Sequence, residues 1–422
     1  MLSGILDKIK PSPKEIEREL NFCNVLLFRI KAHIPPGREV VLTGSMAKKT
    51  FLKDKKDIDI FILFDKKVPK ATFESELKKI MANCFENIRF QLSYAEHPYL
   101  RFKYEGRRID LVPAYKIANA SERLSAVDRS VLHTKFVNSN LKQKQIDDVL
   151  LLKKFLQSNL LYGAEIKTKG FSGYLCELLI IYYGSFQKLL KAASKWEYPV
   201  FIDLKKYYKP GDAVSVISTF GNPNLIVIDP TDKDRNVAAA VSNENSVLFS
   251  KLCQKFMKKP SAEFFFREEP SFEEKLAKMG KGKIAYVVSM PKPDVVDDIL
   301  WGQIYKMLGQ FSKYLGDLGF ESQMFADDHK YLIRLAVITE NDILPEKRMV
   351  EGPPVEMKEH VDKFKKSHKR AKFSIKKKKI YAEVKRPVTR LKNAISNFFK
   401  DFSKAPSHLA CGEELVIIEK VK

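Results

Sequence analysis

No uninterrupted apolar stretch in these 422 residues approaches the roughly 18 that a bilayer-spanning helix needs, so no membrane segment is expected. The most apolar segment, YLCELLIIYYGSF from Tyr174 to Phe186, is short and carries Glu177, and reads as a core helix. The opening MLSGILDKIK has too brief an apolar run for a secretory signal, so a cytoplasmic protein is expected. Cysteine is scarce. Cys23, Cys84, Cys176, Cys253 and Cys411 are scattered, odd in number and free of any CxxC pair, which argues against a zinc site and against a disulfide framework. Buried, reduced thiols are the expected state. No internal repeat is visible.

Acidic residues are the minority charge. Against 52 Asp and Glu stand 75 Lys and Arg, a formal net charge of +23, which suggests a polyanionic partner. The missing membrane segment favours nucleic acid over lipid. With 45% hydrophobic and 11% aromatic residues the bulk should be globular, and the length predicts two to four domains.

Three regions follow along the chain. Residues 1–138 read as a small mixed α/β domain. Ser12 to Ile34 has helical spacing, and Pro35-Pro36-Gly37 stops it. A strand over Glu39–Leu42 precedes Gly44-Ser45 and a short helix to about Leu52. Then come a strand over Ile58–Phe64, a helix near Thr72–Asn87, and two strands, Tyr99–Tyr104 and Arg107–Val112, around a Glu105-Gly106 turn. Residues 139–258 read as helical, with one extended interruption at Leu225–Asp229. Residues 259–422 alternate: strand at Ile284–Met290, helix at Val295–Leu318, strand at Tyr331–Thr339, helix at Val388–Phe402. That last pattern predicts a ferredoxin-like or RNA-recognition-like α+β layer.

The chemistry concentrates in VVLTGSMAKKTFLKDKKDIDIFILF, Val40 to Phe64. Side chains alternate along a strand, so Asp57 and Asp59 share one face while Ile58, Ile60 and Ile62 take the other. Two like charges side by side repel, and each shifts toward protonation if left alone. A divalent cation relieves that repulsion, and Mg²⁺ suits it best, being a hard ion held by one or two carboxylates plus substrate phosphates. A third carboxylate, Asp110 in RRIDLVPAY, also sits in an apolar strand. If that strand lies beside the first, three carboxylates converge, enough for two ions that hold the attacking and leaving oxygens of an in-line displacement. Gly44-Ser45, between strand and helix, offers unpaired backbone N–H groups and a hydroxyl to a phosphate. Each signal alone has a plainer reading, an ordinary capped turn for Gly-Ser and a metal-free strand end for the Asp pair. The ordered set is more specific, and it resembles the catalytic core of the DNA polymerase β-type nucleotidyltransferases.

Further motifs narrow the resemblance. AEHPY (Ala95–Tyr99), AVDRSVLHTKF (Ala126–Phe136), LLKKFL (Leu151–Leu156), LYGAE (Leu161–Glu165), GFSGYLCELLI (Gly170–Ile180), DPTDKDRNVAAAVS (Asp229–Ser242) and KPDVVDD (Lys292–Asp298) follow in order. Together they resemble the archaeal, class I CCA-adding enzymes, tRNA nucleotidyltransferases that build the 3′-terminal CCA without a nucleic-acid template. The resemblance is nearly continuous from about residue 20 to 300 and looser beyond.

It implies a polymerase β-type head at 1–138, a helical nucleotide-binding domain at 139–258 and a tRNA-binding region at 259–422. It also implies two Mg²⁺ ions on Asp57, Asp59 and Asp110, with Asp110 the candidate to accept the proton of the attacking 3′-hydroxyl. CTP and ATP are the implied substrates, and a homodimer is a family expectation. Gly44, Ser45 and Lys48 would meet the triphosphate, although the family usually has Arg at the Lys48 position. Lys is a point charge without a bidentate fork, so that contact is expected to differ. His133, Lys153 and Tyr162 match positions used on the incoming nucleotide, and Arg235 the side chain used beside the base. Taken without the resemblance, Lys153 reads equally as a snorkelling lysine, His133 as a satisfied histidine, Tyr162 as packing and Arg235 as a surface ion pair. An arginine has no acceptor, so Arg235 can read only acceptor atoms on a base.

The surplus charge is localised. Lys358 to Lys392 holds fifteen Lys and Arg against Glu359, Asp362 and Glu383, about half of the net charge. Aromatic and apolar residues interleave it, Phe364, Phe373, Ile375, Ile380, Tyr381 and Val384 among them, which predicts a folded basic surface for an RNA backbone. Lys376, Lys377, Lys378 and Lys379 are its densest run and the candidate contacts to the tRNA body. Two rivals remain at this stage: a poly(A) polymerase or oligonucleotide synthetase on the same core, and a catalytically silent RNA-binding protein on this fold.

Overall fold

The computed structural model describes residues 1–94, 97–402, 407–409 and 415–421. Cys411, and Ala95 and Glu96 of the AEHPY motif, lie outside them. The other four cysteines are free and buried. The chain divides into two compact units, Met1–Glu269 and Pro270–Lys422.

The first unit opens with α1 (Leu2–Ile9) and α2 (Pro13–Lys31). Ser12 caps α2 in a reciprocal box with Glu15, which satisfies two backbone N–H groups that a helix start otherwise leaves bare. Cys23, Leu26 and Ile30 form its buried stripe, and Glu19 is buried with them. Arg107 accounts for that carboxylate, donating to Glu19 at 2.5 and 3.2 Å.

Next come β1 (Glu39–Thr43), α3 (Gly44–Ala47), β2 (Asp57–Phe64), α4 (Phe73–Cys84), β3 (Phe90–Tyr94), β4 (Pro98–Tyr104) and β5 (Arg107–Tyr115). The sheet order is β1-β2-β5-β4-β3, with β2 and β5 parallel and every other pair antiparallel. Ile58, Ile60, Ile62 and Phe64 point into a core closed by α2 and α4. Truncating a residue such as Ile60 there should cost about 2–5 kcal/mol. Glu105 and Gly106, both at positive φ, make the tight β4–β5 turn.

A helical layer follows: α5 (Arg129–Asn140), α6 (Gln145–Ser158), α7 (Gly173–Tyr183) and α8 (Phe186–Ala193). Its core joins Leu150, Phe155, Phe171, Leu175 and Leu179 to Phe249. This region is less purely helical than its sequence reads. Beside the expected strand lie two more, so that β6 (Val200–Asp203), β7 (Leu225–Asp229) and β8 (Asp232–Asn236) form a three-stranded sheet with α9 (Ala213–Thr219) between the first two. The sequence of β8, DKDRN, has no apolar alternation, and its pairing with β7 is what makes it a strand. The unit ends with α10 (Asn243–Lys258).

The second unit runs α11 (Phe272–Met279), β9 (Ile284–Pro291), α12 (Asp297–Leu318), β10 (Gln323–Asp328), β11 (Leu332–Thr339), β12 (Lys347–Pro354), α13 (Lys358–Ser367), β13 (Lys372–Lys376), β14 (Lys379–Lys385), α14 (Leu391–Phe402) and β15 (Ile417–Val421). An antiparallel sheet of order β10-β11-β9-β15 packs against α12 and α14, the ferredoxin-like arrangement. Inserted between β11 and α14 is a small sheet, β12-β14-β13, beside α13. The basic stretch is folded, as its interleaved apolar residues implied: Ile380 and Ala382 are buried in that insert. Lys376 pairs with Lys379, and Lys377 and Lys378 form the hairpin tip at φ 48° and 62°.

Candidate active site

Register alone assembles the first row. Thr43 of β1 faces Asp59 of β2, Asp59 faces Asp110 of β5, and Asp110 faces Arg101 of β4. Asp57 and Asp59 are half-buried on the open face, while Ile58 between them is buried on the other. Burial first, then the charges of Asp110 and Asp57, push the Asp59 carboxyl up to about 6. No side-chain hydrogen bond reaches Asp59 among the described residues. Asp110 is gripped by Arg101, with Nε to Oδ1 and Nη2 to Oδ2 both at 2.7 Å, and Asp57 is held by Arg108 at 2.6 Å.

The expected convergence is therefore incomplete. Among the described residues no three His, Cys, Asp or Glu side chains gather closely enough to hold a metal ion. Two of the three carboxylates are turned onto arginines, which compete for the same oxygens. The donor set nonetheless fits a hard divalent cation, because Asp59 lies beside two other carboxylates and has no salt-bridge partner among the described residues, Lys48 and Arg108 acting on it only at longer range. Gly44 fits the same reading. It sits at φ 68°, and a Cβ there would land inside the Asp59 carboxylate, so the Gly-Ser turn presses directly on the row.

A second group joins the head to the helical layer. Lys48 Nζ donates to Glu177 Oε2 at 2.6 Å, and Thr50 Oγ1 donates to Glu177 Oε1 at 2.6 Å. Lys153 Nζ donates to the Thr50 carbonyl at 2.8 Å and lies 3.5 Å from Glu177 Oε1. Burial would push the Glu177 carboxyl up, but Lys48 and Lys153 outweigh it and hold it below its ordinary range. Burial pushes the Lys153 ammonium down, with Glu177 opposing. Tyr162 is next to them: a Cβ on Gly173 would stand 3.1 Å from its hydroxyl and 3.6 Å from Lys153 Nζ.

The third group centres on Asp229, which is fully buried. Its Oδ2 accepts from His133 Nε2 and from Arg235 Nη1, each at 2.8 Å. Its Oδ1 accepts from the Tyr174 hydroxyl at 3.1 Å and from Thr231. Burial would raise the Asp229 carboxyl, yet the His133 hydrogen bond and charge bring it far below the usual range. The His133 ring stacks on Tyr174 with centroids 4.0 Å apart. Lys48 lies 5.8 Å from the centroid of the same tyrosine ring, which links the second group to the third.

Sequence reading named the cations of these groups and missed their carboxylates. Glu177 was legible only as one charge in an apolar helix, and Asp229 only as a turn residue after LIVI. An acid within a strongly apolar run, as Glu177 is, or closing one, as Asp229 does, is the signal that would have found them.

Known proteins match this arrangement in the same order. Residues 26–133 match the family model for a nucleotidyltransferase domain, 147–266 that for the tRNA nucleotidyltransferase second domain, and 281–407 that for the CCA-adding enzyme C-terminal domain. The CCA-adding enzyme of Methanocaldococcus jannaschii is 39% identical, over 95% of this chain and 90% of that one. The chain belongs to the CCA-adding enzyme family. Relatives with that name in Methanosarcina mazei and Sulfolobus acidocaldarius are each 36% identical, covering 86% and 83% of this chain and 80% and 79% of theirs. Among solved structures, a Cid1 poly(U) polymerase variant bound to MgATP is alike in fold, at TM-score 0.50 and 14% identity over 63% of this chain and 98% of that one. Nucleotidyltransferases work with divalent metal ions. No helix among the described residues of this family member is long and apolar enough to cross a membrane.

Proposed function

We propose that the protein adds C, C and A to the 3′ end of tRNA from CTP and ATP, releasing pyrophosphate at each step. The observation that carries this reading is the pairing of Asp59 with Asp110 on parallel strands against Gly44, in a chain similar over 95% of its length to a CCA-adding enzyme.

Asp57, Asp59 and Asp110 would hold two Mg²⁺ ions once Asp110 and Asp57 release their arginines. Such ions neutralise charge on the triphosphate and on the attacking and leaving oxygens. The 3′-hydroxyl oxygen attacks the α-phosphorus, the α–β phosphoanhydride bond breaks, and Asp110 takes the hydroxyl proton. Gly44 and Ser45 bring backbone N–H groups and a hydroxyl to the triphosphate, and Lys48, Lys153 and Tyr162 supply charge and a phenolic donor beside it. Arg235, held at one nitrogen by Asp229, keeps donors for acceptor atoms of the base, with His133 next to it. Of the basic run, Lys376, Lys377 and Lys378 would hold phosphates of the tRNA body, Lys379 being paired with Glu351.

The test is to incubate tRNA lacking CCA with Mg²⁺ and each nucleotide, and then to sequence the 3′ ends. Ordered C, C, A supports the reading. A run of A or U would move the protein to a tailing polymerase, and no extension would leave an RNA-binding protein.

A further inference from the structure

Two ammonium groups and one carboxylate are closed together between α3, α6 and α7. The side chains of Lys48, Lys153 and Glu177 are 7%, 2% and 0% exposed. With Glu177 ionised, the set holds one positive charge more than it balances. Buried ion pairs are poor stabilising devices, because desolvating each ion is costly and apolar residues of the same volume pack as well. A surplus cation deepens that cost, so the cluster makes physical sense as a seat for an anion. Gly173 adds a second observation. Its missing side chain lets the start of α7 sit against Lys153 Nζ and the Tyr162 hydroxyl, since even a Cβ would approach them to 3.6 and 3.1 Å.

We propose that Glu177 is a positioning residue for nucleotide addition: with Thr50 it fixes Lys48 and Lys153 at one spacing, so that the two ammoniums meet the triphosphate together. This rests on the reading of Lys48 and Lys153 as triphosphate contacts. Glu177 itself touches no phosphate. It orients Lys48 through Oε2 and, through the Thr50 hydroxyl on Oε1, the acceptor that Lys153 uses at 3.2 Å. It also opposes the pull of burial on the Lys153 ammonium toward neutrality.

The test is binding of inorganic tripolyphosphate to the full-length protein by calorimetry, with KM and kcat for CTP and ATP alongside. A purely electrostatic view expects Glu177→Gln to tighten an anion, because a negative charge is removed beside two positive ones. Positioning expects the opposite: weaker tripolyphosphate by about tenfold or more, the scale of one lost hydrogen bond to a charged group, with KM raised by a similar factor and kcat changed far less. Tighter or unchanged binding overturns the proposal, and so does a lower melting temperature with unaltered Kd and KM. Thr50→Val keeps all three charges and removes only the hydroxyl, so it should shift Kd and KM in the same sense by less. It decides the matter if Glu177→Gln does not fold. Lys48→Met and Lys153→Met separate the two levels of inference. If neither weakens tripolyphosphate, the triphosphate reading of the lysines fails. If both weaken it and the Glu177 and Thr50 variants do not, positioning alone fails.

Discussion

His133 and Arg235 meet on one oxygen. Asp229 Oδ2 accepts from His133 Nε2 and Arg235 Nη1 at 2.8 Å each, although the two donors come from α5 and β8. A carboxylate shared in this way anchors one nitrogen of the guanidinium beside a ring stacked on Tyr174. Arg235 keeps its other donors and is partly exposed, a side chain held at one end and open at the other.

Nucleotide choice should depend on that arginine more than speed does. Arg235→Ala removes a charged donor worth roughly 1.5–3 kcal/mol, so discrimination should fall about tenfold or more. Misincorporation of UTP and GTP relative to CTP is the measurement. An unchanged ratio removes Arg235 from the base pocket.

The same cluster has a pH signature. Burial pushes the His133 imidazolium below its ordinary 6.5, with Asp229 opposing and Arg235 and Lys48 adding to the downward shift. Tyr174, stacked on the ring, is itself pushed up by burial and then by Asp229, so it stays neutral. The folded-state value lies below the unfolded one, so protonation opposes folding. This contribution to stability is complete above pH 6.5 and is lost as the pH falls through the folded value. Denaturant titrations of wild type and His133→Gln should differ by a constant amount above pH 6.5, and that difference should decline below it. A difference that grows on acidification would mean that the charged imidazole is the favoured form.

Chemistry should fail without the carboxylate row while RNA binding persists. Asp59→Ala and Asp110→Asn each remove an oxygen ligand and no phosphate-binding cation, so nucleotide addition should disappear and tRNA affinity should hold. Turnover within about tenfold of wild type in either variant would sink the metal assignment, since mutants of a metal-assisted transfer lose far more.

The lysine run should divide rather than act as four equal charges. Lys379 is committed to Glu351, which also accepts from Tyr381, whereas Lys377 and Lys378 sit at the tip in a left-handed conformation that Asn-Gly adopts more readily. Replacing Lys377→Asn and Lys378→Gly together should stabilise the hairpin by on the order of 1 kcal/mol, because Gly removes the cost that a Cβ carries at positive φ and Asn tolerates that conformation better than Lys. Affinity for tRNA should fall nonetheless, and the slope of log affinity against log salt should shrink by roughly 0.7–0.9 for each phosphate that is no longer neutralised. Stability rising while affinity and slope stay put would make the tip a bystander.

Local pattern determined a good deal of this protein. Alternation in DIDIFILF placed Asp57 and Asp59 on one face, because a strand repeats every two residues whatever surrounds it. Ser12 marked the start of α2, where it closes a contact that spans three residues, and Ile380 in the basic stretch is buried in a folded insert, while Phe373 and Ile375 beside it stand exposed. Tertiary structure alone decided which groups became partners. The opposition of Asp59 and Asp110 depends on the parallel register of β2 and β5. Glu177 and Lys48 are 129 residues apart, and His133 and Asp229 are 96 apart. No window of sequence holds such a pair. Burying a charge is tolerated only where an opposite one arrives from another part of the chain, and packing sets that arrival.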